Sequence, residues 1–311
     1  IKEGATGTYT IGSGDGVDEF TVNNGYVSVN SGDGDKTLNL ANGALYYNYD
    51  HNGYNAWVSG SGDDVITSDS DTYIRGKIIT GSGNDTFNLD GGFGYYAWVY
   101  AGEGNDVINI LDNATDSGWE TSYIYGEDGD DIITYSSKSE LARNFRLYGG
   151  GGNDTIDISS SENQIDWQSQ ESSALTVSGD DGDDILIGSD ESNQIWGGND
   201  NDSIYGGNGN NKIYGDAGDD VIESGSGDDL LYGGNNDDVL NAGGGNDVIY
   251  GGSGGGSKGD DGSIDTAVFS GASTDYKISR ATDVDYGYVY YIQDKRDDSP
   301  DGLDTLYDID Q

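Results

Sequence analysis

Apolar and polar residues alternate in short runs along most of the chain, and turns rich in Gly, Asp and Asn separate the runs. This alternation predicts half-buried β-strands. The pattern is sharpest over residues 179–259, which divide without gaps into nine-residue units starting at Gly179, Gly188, Gly197, Gly206, Gly215, Ser224, Gly233, Ala242 and Gly251. GDAGDDVIE (215–223) is typical, with small residues first, Gly fourth, Asp or Asn sixth and an aliphatic residue eighth. The last unit, GGSGGGSKG, carries Gly256 at the sixth place and closes the run. A fixed short period predicts stacked coils, each burying its apolar face only against its neighbours.

The same turn recurs at wider intervals before this stretch, as GDGVDEF (14–20), GDGDKTL (32–38), GSGDDVI (60–66), GSGNDTF (81–87), GEGNDVI (102–108), EDGDDII (127–133), GGGNDTI (150–156) and DDGDDIL (180–186). Its acids are Asp18, Asp64, Asp85, Asp106, Asp131, Asp154 and Asp184, with Lys36 standing in at the second copy. Two nonapeptides make one coil of 18 residues in the regular stretch, so alternate units share an edge. One edge then carries Asp184, Asp202, Asp220 and Asp238, and the other Asn193, Asn211, Asp229 and Asp247. Extrapolating backward puts Asp18 to Asp154 on the first edge, for eleven stacked turns, while variable loops replace the motif on the opposite edge. Two apolar columns flank the first edge. Phe20, Ile66, Phe87, Ile108, Ile133, Ile156 and Leu186 follow the acids by two residues, with Val22, Leu89, Ile110 and Ile158 two further on. Trp57, Ile78, Val99, Ile124, Leu147 and Val177 precede them by seven. Side chains alternate across a strand, so the two sets can meet in a thin core.

Residues 264–311 change character. TAVFSG (266–271), DYKISRA (275–281), YVYYIQD (288–294) and DTLYDID (304–310) read as four short strands covering the last coil. The expected organisation is an irregular solenoid over 1–178, a regular one over 179–259 and a C-terminal β cap over 260–311.

Composition narrows the picture. The 54 glycines argue against helix, because each costs about 1 kcal/mol in a helix interior. Against 58 acids stand only 13 Lys and Arg, for a formal charge of −45, so the chain should repel itself unless cations intervene, and nucleic acid and anionic lipid are poor partners. There is no Cys for a disulfide frame or a thiolate metal site, and no stretch is apolar enough to span a bilayer. The chain begins at Ile1 without Met, as a fragment would.

These features resemble the RTX (repeats-in-toxin) family of bacterial secreted proteins, strongly over 179–259 and as spaced single copies over 12–178, and DTAVFSG, DYKI and DGLDTLYDI are similar to the segment that follows such repeats. The resemblance implies an all-β fold, a right-handed parallel β-roll or β-solenoid of about 11–12 coils here, with calcium between stacked turns. It also implies export by type I secretion to the cell surface or medium. The chain stops at Gln311 short of the apolar tail expected of the secretion signal.

Calcium takes six to eight oxygen ligands, and a GxGxD turn offers main-chain carbonyls and a carboxylate, so two stacked turns can complete a shell. The expected metal residues are Asp18, Gly62, Asp64, Gly83, Asp85, Gly104, Asp106, Gly129, Asp131, Gly152, Asp154, Gly182, Asp184, Asp202, Gly218, Asp220 and Asp238 on the first edge. Gly227, Asp229, Gly245 and Asp247 join them from the second, together with Asn193 and Asn211, whose uncharged amides predict weaker sites. About nine ions or more would bring the charge of −45 to about −27, and binding should be coupled to folding. Lys36 predicts a turn without calcium, its ammonium taking the ion's electrostatic place.

Other constellations carry a bland reading beside a sharper one. Tyr100, Tyr125, Tyr148, Ser178, Trp196, Tyr214 and Tyr232 form an outward column, read as stacking between strands or as a platform for sugars. Loops at 45–57 and 91–100 hold Tyr46, Tyr47, Tyr49, Tyr54, Tyr95, Tyr96 and Trp98, and Trp119 and Trp167 fall in later insertions; they read as local burial or as a surface for glycans or proteins. Thr21, Asn39, Thr67, Asn88, Asn109, Thr134 and Asp157 form a polar rank, of ordinary strand formers or an ice-binding face. His51 is the only His and no zinc motif surrounds it, so no catalytic residue is assigned. The reading that results is a non-catalytic, calcium-folded adhesive or surface-layer segment; the alternatives are the folding tail of a secreted enzyme or toxin, and a glycan- or ice-binding module.

Overall fold

The computed structural model describes residues 8–12, 14–23, 26–41, 44–45, 57–111, 115–116, 121–136, 145–161, 175–252, 263–283, 287–297 and 300–309, in two compact units, Ile1–Leu175 and Thr176–Gln311. Nearly all of the regular structure is strand; a single 3-10 turn, Ser273–Asp275, is the exception among the described residues. The fold is a parallel β-solenoid.

In the first unit the strands that follow the turns pair in parallel and in register. They align Phe20 with Leu38, Leu38 with Ile66, Ile66 with Phe87, Phe87 with Ile108, Ile108 with Ile133 and Ile133 with Ile156. A second ladder aligns Trp57, Ile78, Val99, Ile124 and Leu147. These are the two columns expected from the sequence, and from Trp57 and Ile66 onward each member is wholly buried. Phe20, near the start, is only half-buried and meets Trp57 edge-on at 5.6 Å.

One expectation fails in this unit. Residues 91–100 were expected as loop, yet Thr86–Glu103 is hydrogen-bonded as strand throughout. The apolar Phe93 explains it. Its ring packs edge-on against Phe145 at 4.9 Å and is fully buried, so this segment lines the core. The neighbouring strand Val65–Ile79 follows it, with register shifts between Ser68 and Thr72 and between Ile74 and Gly76 that absorb the additional residues.

In the second unit the coils are uniform. Leu186, Ile204, Ile222 and Leu240 form one column, and Val177, Ile195, Ile213, Leu231 and Ile249 the other. The terminal segment contributes to both. Thr266–Ala267 pairs in parallel beside Leu240, and Leu303–Tyr307 pairs in parallel beside Ile249. Among the described residues only Tyr276–Asp283 and Gly287–Asp294 turn antiparallel, as a hairpin whose second strand pairs with Leu303–Tyr307. Arg296 bridges Asp294 (2.8 Å) and Asp301 (2.9 Å), and the Tyr276 hydroxyl donates to Asp301, which fixes the hairpin to the closing strand. Among the described residues no helix is long and apolar enough to cross a membrane.

Candidate metal centre

Every turn ends with its acid at the start of a strand, and parallel pairing stacks the acids. The carboxylate of each coil accepts the main-chain N–H of the acid one coil earlier. In the first unit Asp85 accepts from Asp64 (2.7 Å), Asp106 from Asp85 (2.6 Å), Asp131 from Asp106 (2.7 Å) and Asp154 from Asp131 (2.7 Å). In the second, Asp202 accepts from Asp184 (2.9 Å), Asp220 from Asp202 (2.8 Å) and Asp238 from Asp220 (2.9 Å). The opposite edge repeats the pattern with Asn211 on Asn193 (2.9 Å), Asp229 on Asn211 (2.6 Å) and Asp247 on Asp229 (2.8 Å). The glycines two residues before the acids, Gly62, Gly83, Gly104, Gly129, Gly152, Gly182, Gly218, Gly227 and Gly245, all have positive φ. At Gly83, with φ of +138°, a Cβ would also overlap the Gly62 carbonyl oxygen of the coil before. That close approach requires glycine twice over.

Two acids that continue these columns went unread in the sequence. Asp265 accepts the Asp238 N–H (3.1 Å), and Asp304 accepts the Asp247 N–H (2.9 Å). Both were legible as Asp-x-aliphatic, in DTA (265–267) and in GLDTL (302–306), but the hairpin between them breaks the nine-residue period. A second ladder was also missed. The residue before each acid accepts the N–H of its counterpart one coil later, as in Asn84 to Asp63 (2.8 Å), Asn105 to Asn84 (2.9 Å) and Asp219 to Asn201 (2.7 Å). The doubled Asp-Asp and Asn-Asp pairs of the turns are its signature.

One oxygen of each buried acid is engaged in this way. The other, Oδ2, has no hydrogen-bond donor in Asp64, Asp85, Asp106, Asp131, Asp202, Asp220 and Asp238, although it is out of contact with water. The Ser59 and Thr80 hydroxyls stand beside Asp64 and Asp85, but give their hydrogens to the Thr80 (3.0 Å) and Ala101 (2.6 Å) carbonyls. In the regular coils Oδ2 lies over the first glycine of the repeat. A Cβ on Gly215 would overlap Asp220 Oδ2 and the Gly233 carbonyl oxygen together. Carboxylate and carbonyl oxygens thus crowd one point, and only a cation or a proton relieves that. Burial accordingly pushes the carboxyls up from 3.8, to about 8 in Asp106, Asp202, Asp238 and Asp304, about 7 in Asp220 and Asp229, and about 6 in Asp85, Asp131 and Asp247.

The donor set fits a hard divalent ion. It consists of one or two carboxylates and several carbonyls, all oxygen, which suits calcium. Among the described residues no group of three or more His, Cys, Asp or Glu side chains is gathered at one point. Asn193 shows where positive charge is wanted. Its amide nitrogen donates to the Ser189 carbonyl (3.1 Å) and, across the gap to the next coil, to the Gly206 carbonyl (3.0 Å). Asn211 does the same with Gly209 (3.1 Å) and Ser224 (3.1 Å). These N–H groups compete with an ion for the carbonyls.

A family model of the RTX calcium-binding nonapeptide repeat, in four copies, matches residues 122–137, 146–158, 178–213, 196–231, 205–240 and 224–257. The chain carries RTX calcium-binding repeats. A search of curated proteins finds no match. The RTX turn geometry extends beyond the matched residues, since Asp64, Asp85 and Asp106 form the same ladder before residue 122 and Asp265 and Asp304 form it after residue 257.

The remaining constellations resolve as follows. Tyr100, Tyr125 and Tyr148 stack face to face at 4.9 Å, and Trp196, Tyr214, Tyr232, Tyr250 and Tyr307 stack at 4.6–5.5 Å. Ring faces that cover one another are closed to a sugar, so the geometry is that of strand stacking. In the polar rank Thr67 donates to Asn39 (2.7 Å), Asn109 to Asn88 (2.9 Å) and Thr134 to Asn109 (2.7 Å), a ladder that satisfies itself. Trp98 stacks on Tyr123 at 6.4 Å with the Lys77 ammonium 5.1 Å from its ring. His51, Tyr46, Tyr47, Tyr49, Tyr54, Trp119, Trp167 and the side chains of Tyr95 and Tyr96 lie outside the described residues.

Proposed function

We propose that this calcium-binding RTX chain is a non-catalytic structural or adhesive segment of a secreted bacterial protein, and that it folds when calcium binds. The observation that carries the reading is the column of buried carboxylates, in which Asp64, Asp85, Asp106, Asp131, Asp202, Asp220 and Asp238 each hold an oxygen that lacks a donor. Each pair of stacked acids would hold one ion: Asp64 with Asp85 and onward to Asp154, Asp184 with Asp202 and onward to Asp265, and Asp229 with Asp247 and Asp304. That makes on the order of ten ions, with weaker binding at Asn193 and Asn211. Without them, carboxylates stacked coil upon coil in a chain of charge −45 oppose the fold, and the thin core is weak support.

This coupling suits export. Calcium is scarce inside cells and abundant outside, so a chain of this kind would pass a secretion channel unfolded and fold on arrival. Far-UV circular dichroism in calcium and in excess chelator tests the reading, alongside a count of bound calcium. The β signal is expected to vanish in chelator and return with calcium. A chain that keeps its full β signal in chelator and binds no calcium overturns it.

A further inference from the structure

Lys36 occupies a position in the column where every other described coil of that edge carries an acid. Its strand pairs in register on both sides, with Asp18 aligned to Lys36 and Thr37 to Val65, so it is not displaced from the column. The side chain is fully buried. Its ammonium turns back toward the coil of Asp18 and meets four oxygens. It donates to the carbonyls of Gly14 (3.4 Å), Gly16 and Asp33 (2.8 Å), and pairs with the Asp18 carboxylate at 3.3 Å.

Two of the carbonyls repeat a pattern seen elsewhere. Gly14 and Gly16 precede Asp18 by four and two residues, as Ser189 and Glu191 precede Asn193, whose amide nitrogen donates to both carbonyls. Two carbonyls of the turn, one carbonyl from the next coil and one carboxylate are the oxygens that a pair of stacked turns offers a cation. Here the chain supplies the cation itself.

We propose that the Lys36 ammonium is a tethered substitute for calcium, which fills the cage between the coils of Asp18 and Lys36 and keeps an ion out of it. The proposal rests on the calcium reading of the other cages. An ammonium has three donors and meets a cage of oxygens as a compact point charge. Being covalently held, it does not leave when calcium is withdrawn, so this joint differs from the calcium-held ones in its response to chelator.

The test is a count of bound calcium per full-length chain for the wild type, Lys36→Asp and Lys36→Met. Lys36→Asp restores the acid between Asp18 and Asp64, completing two pairs, and is expected to bind two ions more than the wild type. Lys36→Met keeps the apolar stem without the charge. It is expected to melt at a lower temperature than the wild type, with no recovery as calcium is raised. A Lys36→Asp chain that has the wild-type circular dichroism spectrum in saturating calcium and yet binds no additional ion overturns the proposal. Should that variant not fold, anomalous diffraction from wild-type crystals grown in calcium decides. Peaks at the acid pairs with none among Gly14, Gly16, Asp33 and Asp18 are expected, and a peak at that point refutes the assignment. A wild type that binds no calcium anywhere would instead refute the calcium reading on which the proposal stands.

Discussion

Asp220→Asn separates the charge of a column acid from its hydrogen bond. Asp220 is wholly buried, accepts the Asp202 N–H at 2.8 Å and directs its other oxygen over Gly215. An Asn of the same shape keeps the acceptor, as Asn211 does for Asn193 at 2.9 Å on the opposite edge. It removes one carboxylate shared by two cages, those with Asp202 and Asp238. If each cage is loaded at about 100 times its Kd, it contributes about 2.7 kcal/mol, so two lost ions cost about 5 kcal/mol. The calcium-free chain should respond in the opposite sense. Burial pushes the Asp220 carboxyl from 3.8 to about 7, roughly three pH units, and relieving that is worth on the order of 4 kcal/mol above pH 7. The variant is therefore expected to bind two fewer ions and to need more calcium to fold, while its structure in chelator at alkaline pH is equal to or greater than that of the wild type. Bound-calcium counts and a calcium titration followed by circular dichroism measure both. An unchanged count with an unchanged midpoint would show that Asp220 serves only as a hydrogen-bond acceptor, and would refute the argument.

The pH response should carry a distinctive sign. The carboxyls of Asp106, Asp202 and Asp238 are raised by burial to about 8, so without calcium they favour the fold below about pH 4 and that support is lost as pH rises through 8. Chelated protein should then show more β structure at about pH 5 than at about pH 8.5, and calcium addition near neutrality should release protons measurable in a pH-stat. Gly83→Ala places a Cβ against the Gly62 carbonyl at a φ of +138°, and should lower stability in saturating calcium by about 1–3 kcal/mol or more in urea unfolding. Asp304→Ala leaves the Asp247 N–H without its acceptor and removes the last carboxylate of its column, costing about 1–3 kcal/mol and one ion. Tyr214→Ala breaks ring stacks at 4.7 and 5.5 Å and should cost about 1–3 kcal/mol with no change in bound calcium, which distinguishes stacking from ion binding.

Some features were open to reading because they are local. Asp106, Ile108 and Ile110 stand at fixed offsets from a Gly-rich turn, and that alone places the acid at an edge and the aliphatic residues inside. Asp304 was harder. Its turn and its aliphatic partner are intact, but 57 residues separate it from Asp247, its neighbour in the column, and no period survives that interval. The run at 91–100 misled for a different reason. Gly and Tyr signal a loop by composition, whereas Phe93 is drawn into the core by contact with Phe145, far away in the chain.

The sequence by itself determined the repeating unit, the strand alternation, the acid column and the identity of the odd coil at Lys36. All of these follow from residue type at short spacing, where steric and hydrophobic preferences act along the chain. Tertiary structure alone decided what each acid's second oxygen faces, that Asp265 and Asp304 close the two columns, and that the tyrosine faces are spent on one another. Those depend on which coil lies above which. The stacking of coils converts a solvated aspartate into a buried one that needs a cation, and a lysine into a cation held within the fold.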